Sequence, residues 1–79
     1  MKLKVKLTFP PELVGEPVIY RMGRNFDVVT NIRRADVTRD RGWVVLEIEG
    51  EPERVEAAVN WVSSLGIRVD PVEGDVLEG

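Results

Sequence analysis

The sequence predicts a small α+β sandwich in the order β-α-β-β-α-β, and three observations carry that expectation. Residues 2 to 9, KLKVKLTF, alternate polar and apolar at every step. The tripeptide Gly-Glu-Pro stands at positions 15–17 and again at 50–52, each time ahead of apolar residues at helical spacing. Between those two runs, TNIRRADVTRDRGWVVLEIE reads as two strands joined by a turn.

The elements follow in order. In the first stretch, Leu3, Val5, Leu7 and Phe9 point one way and Lys2, Lys4, Lys6 and Thr8 the other. A period of two means a strand with one buried and one wet face. Pro10-Pro11 ends it, because proline donates no ladder hydrogen bond. Gly15-Glu16-Pro17 opens a helix, since the first turn has no use for the N–H that proline lacks. Val18, Ile19, Met22 and Phe26 form its apolar stripe, and Asn25-Phe26-Asp27 closes it. Residues 28 to 38 form the second strand and residues 43 to 49 the third. Asp40-Arg41-Gly42 supplies the turn between them, with glycine free to take positive φ. In the second helix Val55, Ala58, Val59, Val62 and Leu65 share a stripe. Gly66 is placed as the residue just past its C-terminus. Ile67, Val69 and Val72 make a short last strand. The domain is expected over residues 1–73, with 74–79 as a flexible acidic tail.

Two βαβ halves of similar length give the ferredoxin-like sandwich. Its sheet is antiparallel and four-stranded, with two helices on one face and the other face open. The name describes topology and implies no iron–sulfur cluster. Strand 1 sets Lys2, Lys4 and Lys6 on the open face, and strands 2 and 4 are the edges.

Composition narrows the function. A chain of 79 residues makes one domain with a thin core, so association with itself or another chain is the expected supplement. It has no cysteine and no histidine, which removes disulfides, thiolate or imidazole metal sites and histidine acid–base chemistry. The net charge of −3 argues against nonspecific nucleic-acid binding. No apolar run approaches the ~20 residues of a membrane span, and lysines interrupt the N-terminal stretch where a signal peptide would be apolar. A reduced, cytoplasmic setting is expected. Glu47 and Glu49 share a face of strand 3, where neighbouring Lys and Arg balance them. No nucleophile–base pair, metal set or glycine-rich phosphate loop is visible, so the domain is expected to be non-catalytic, with no cofactor.

Strand 2 carries the least ordinary residues. Strict alternation puts Asn31, Arg33, Ala35 and Val37 on one side and Thr30, Ile32, Arg34, Asp36 and Thr38 on the other. Neither side is wholly apolar. An edge strand with a bulge near Arg33 and Arg34 fits that pattern. The arginines have an ordinary explanation, which is protection of a sheet edge and pairing with Asp36, Asp40 or Glu47 across the hairpin. Asn31 has two. It either satisfies a turn amide at the top of the strand or offers donor and acceptor to a zwitterionic ligand such as an amino acid. Trp43, beside the turn, suits contact with a partner, whereas Trp61 flanks the helix stripe and is expected to be partly buried.

The stretch LTFPPELVGEPVIYRMGRNFDVVTNIRRADV, together with Ala57-Ala58-x-x-Trp61-x-x-x-x-Gly66-Ile67, resembles the NIL domain. That family takes its name from an Asn-Ile-Leu motif at the start of strand 2, which reads Asn31-Ile32-Arg33 here. The resemblance covers about residues 2 to 72. It implies the ferredoxin-like fold. It also implies kinship with the C-terminal domains of methionine ABC importer ATPases, which bind methionine as a pair and inhibit transport. There the motif asparagine belongs to the methionine site, and by position that is Asn31. NIL domains also precede 4Fe-4S ferredoxin modules in proteins tied to sulfur-amino-acid synthesis, and Asn-Ile-Arg-Arg-Ala with Gly-Trp after the turn looks closer to that group.

The resemblance implies a regulatory domain for methionine or a related sulfur amino acid, held by Asn31 and the backbone around Ile32. Arg33 or Arg34 would pair with the ligand carboxylate, and Ala35 completes the segment. A homodimer through the sheet or strand 2 goes with it. The alternative is a docking module for a ferredoxin or sulfur-transfer protein, with no small ligand. Arg33 in place of the motif leucine alters the pocket. There is no Walker sequence and no Cys-x-x-Cys, so a nucleotide or cluster would sit on another polypeptide. An RNA-binding sheet lacks the several aromatics such a face needs, so neither nucleic acid nor membrane insertion is expected.

Overall fold

The computed structural model describes residues 1–73, and the acidic tail at 74–79 lies outside the described residues. Strand β1 (Lys2–Phe9) leads through a short 3-10 turn at Pro11–Leu13 to helix α1 (Val18–Phe26). Strands β2 (Val29–Val37) and β3 (Gly42–Glu49) form a hairpin, followed by helix α2 (Pro52–Ser64) and strand β4 (Arg68–Pro71). The strand order is β2-β3-β1-β4 with every pairing antiparallel. This is the ferredoxin-like sandwich, with β2 and β4 at the edges.

Register explains the two faces. Leu3 lies opposite Ile48, Val5 opposite Leu46 and Leu7 opposite Val44, so one face of the two central strands is continuous hydrocarbon. The helices cover it with Val18 and Met22 from α1 and Val55, Ala58 and Val62 from α2. Met22, Leu46, Ile48, Val55, Ala58 and Val62 are completely excluded from solvent. Phe26 and Trp61 are half-buried and meet between the helices, with ring centroids 5.6 Å apart. No residue of β2 enters this buried core.

The helix ends have local causes. Pro17 caps α1 and Pro52 opens α2, as the repeated tripeptide predicts. Asp27 ends α1 in the left-handed region at φ 55, and its N–H donates to Gly23 O. Aspartate tolerates that conformation better than most residues. Gly66 follows α2 at φ 95. Leu65 is 38% exposed and does not continue the α2 stripe inward, because α2 stops at Ser64 and Leu65 is already its C-cap.

Gly42 differs from its expected role. It is not at positive φ but is the first residue of β3, buried and paired with both Phe9 and Val37. A Cβ there would stand 3.2 Å from the Val37 side chain, so a larger residue would make Val37 give by a few tenths of an ångström. The turn itself is Thr38–Arg41, where Thr38 N–H and Oγ1–H both donate to Arg41 O.

Candidate functional site

The strand 2 bulge decides which side chains meet. Asn31 lies opposite Glu47 and Ile32 opposite Leu46, but the next partner of β3, Val45, lies opposite Arg34. Arg33 is the extra residue of this bulge. Past it the alternation is reset by one, because two residues of β2 oppose a single step of β3. Asn31 and Arg34 therefore lie on the open face, and Arg33 joins them there through its ion pair with Glu47. Ile32, Ala35 and Val37 turn to the helix side, opposite Leu46, Val44 and Gly42. This corrects the strict alternation, which grouped Ala35 and Val37 with Asn31.

Asn31 stands in a polar cleft of ≈ 320 Å³ lined by Lys2, Val29, Thr30, Glu47 and Glu49. That is near the lower end of ligand sites, which span roughly 300–1,000 Å³. Glu47 is already engaged, 3.9 Å from Lys4 Nζ and 3.7 Å from Arg33 Nη1. Lys2 and Glu49 sit opposite one another in the register, yet neither makes an ion pair among the described residues. No hydrogen bond from the chain reaches the Asn31 side chain among the described residues, so it satisfies no turn amide. The cleft thus offers an amide, an ammonium and a carboxylate together. Lys2, Glu49 and Val29 were missed in the linear sequence; the register brings Lys2 and Glu49 beside Asn31, and Val29 stands two residues before it on the same strand. Of the other expected site residues, Arg33 is held by Glu47, Arg34 lies one step nearer the hairpin, and Ile32 and Ala35 face away.

Further along the open face, Lys6 Nζ lies 4.9 Å from the centre of the Trp43 ring. Val45, between Lys6 and Arg34 in the register, is buried although it is on the open face and outside the core. A second cleft, apolar and ≈ 200 Å³, lies on the helix side, lined by Phe9, Val14, Pro17, Tyr20, Val37 and Val44 among others. It includes none of the expected site residues.

The match to known families now decides the identity. The NIL domain family matches residues 3–71, nearly all of the described chain. The chain belongs to the NIL domain family. A solved structure, the C-terminal domain of an ABC transporter ATP-binding protein from Enterococcus faecalis, superposes with a TM-score of 0.78. Identity to it is 18%, and the alignment covers 92% of this chain and 86% of that one. At that identity the likeness speaks for the fold. Among curated proteins, none matches significantly. This NIL domain has no helix, among the described residues, that is long and apolar enough to cross a membrane.

Proposed function

We propose that this NIL domain is a non-catalytic regulatory domain that binds a small amino acid, methionine or a sulfur-containing relative, in the cleft at Asn31. The observation that carries the proposal is a trio in that cleft that is unengaged among the described residues: Asn31, Lys2 and Glu49. An amino acid presents a carboxylate, an ammonium and a side chain. Lys2 answers the carboxylate, Glu49 the ammonium, and the Asn31 amide can donate to one and accept from the other. Val29, 66% exposed, offers an apolar contact for the side chain. Family membership supports the regulatory role, as does the fold it shares with a domain of an ABC transporter ATP-binding protein.

The proposal includes pairing of two copies through β2. That strand is nine residues long and exposes Ile32 and Val37 at 54% each. Its free edge is a template for strand addition. Two such edges in antiparallel register would join the two sheets and bring two Asn31 clefts into one assembly.

Calorimetric titration with L-methionine, then homocysteine and cysteine, tests the ligand. Binding is expected for the native domain and lost for Asn31→Ala. Lys2→Ala and Glu49→Ala weaken it, and Arg34→Ala leaves it in place. No heat and no thermal shift at millimolar ligand would sink the proposal.

A further inference from the structure

Charge is sorted between the two layers of this domain. Among the described residues, the open face carries Lys2, Lys4, Lys6, Arg33, Arg34 and Arg68 against four carboxylates, Asp36, Glu47, Glu49 and Asp70. The helix layer and its loops, residues 10–28 and 50–67, carry three arginines against six carboxylates. A chain of net charge −3 thus presents an electropositive sheet and an electronegative back. Ion pairs neutralise part of this charge. Glu47 and Asp70 are consumed by Lys4, Arg33 and Arg68. Lys6 and Arg34 make no ion pair among the described residues, and they flank Val45 from opposite sides. At the hairpin end of the same edge Arg39 and Arg41 flank Asp40.

We infer that the open face around Lys6, Arg34 and Trp43 is a docking surface for an acidic protein. Two features select that partner. Lys6 and Arg34 stand on strands either side of β3, about 10 Å apart at the backbone, which suits two carboxylates of one folded surface. The face's one aromatic ring, Trp43, is occupied by Lys6 and offers no free stacking surface to nucleic-acid bases. Nucleic acid is therefore disfavoured. Three strands of eight or nine residues and a fourth of four give a face of roughly 450 Å². That is the size of a transient, electrostatically steered contact rather than a permanent one. The surface lies toward the hairpin from Asn31, so docking and the amino-acid cleft share Glu47 and Arg33 as their border.

The test is an amide-shift titration of the ¹⁵N-labelled domain with poly-L-glutamate as the acidic probe, beside oligothymidylate at the same charge. Shifts are expected on β1, β2 and β3 around Lys6, Arg34, Val45 and Trp43, with affinity falling about tenfold from low to physiological salt. Lys6→Glu with Arg34→Glu lowers affinity at least about tenfold. Arg21→Glu with Arg24→Glu makes the same net-charge change on the helix side and leaves it unchanged. If the reversed pair fails to fold, Lys6→Gln with Arg34→Gln gives the same comparison. Three outcomes overturn the inference: equal loss from both charge reversals, tighter binding of oligothymidylate, or shifts that move with domain concentration alone, which would assign the face to a second copy.

Discussion

Arg33 Nη1 stands 3.7 Å from Glu47 Oε1, and this ion pair crosses the sheet at the bulge of β2. Lys4 approaches the same carboxylate from the other side at 3.9 Å. Glu47 is thereby the tie between β1, β2 and β3 on the open face. Its side chain is 17% exposed, so water screens the arrangement less than it would a surface pair.

Glu47→Gln removes the charge from both contacts and keeps the shape. A loss of about 1 kcal/mol is expected, above the usual value for exposed pairs and below that for a fully buried one. Urea denaturation of the variant against the native domain measures it. A change within experimental error would show that the two cations are as well solvated without their carboxylate.

Met22→Ala strikes the core where α1 meets the sheet. Met22 is completely buried, and such truncations cost about 2–5 kcal/mol. A domain of this length has a total stability of similar size. The variant is expected to be largely unfolded at room temperature, and far-UV circular dichroism with a one-dimensional proton spectrum reports it.

Asp27 separates backbone from charge effects. Its φ of 55 is a left-handed cap, while its carboxylate pairs with Arg54 on α2. Asp27→Asn keeps the conformational tolerance and loses the charge of a pair whose members are both more than half exposed, so it costs less than about 0.5 kcal/mol. Asp27→Val puts a β-branched side chain at positive φ and costs about 1–2 kcal/mol. Thermal melts of the two variants should rank in that order. Equal melting points would remove the strain argument.

Ile32→Lys tests the β2 edge. Ile32 is 54% exposed and outside the buried core, so the change should move stability by less than about 0.5 kcal/mol. A charge on the helix side of a free edge opposes pairing with a second copy. Sedimentation equilibrium is expected to show the native domain as a dimer and Ile32→Lys as a monomer at the same concentration. A native monomer would remove β2 pairing from the proposed function.

The sequence by itself determined the elements and their order. Alternation in KLKVKLTF set β1 and its buried face, because side chains on a strand reverse at each residue. Gly-Glu-Pro at 15–17 and 50–52 and Gly66 marked helix ends, because proline and glycine act on the backbone of their own neighbourhood. The NIL resemblance, too, needed only the linear order and spacing of its motifs over about residues 2 to 72. The tertiary structure alone decided what stands beside what. The bulge at Arg33 sent Arg33 and Arg34 to one face and turned Ala35 to the other, because the pleat of β2 follows the β3 register it pairs with. Gly42 became a point of strand contact rather than a turn residue once Val37 lay against it. Lys2 and Glu49 came to flank Asn31 although they are 29 and 18 positions away in the chain. Such neighbours arise from pairing between strands, whose register depends on the packing of the whole sheet against its helices.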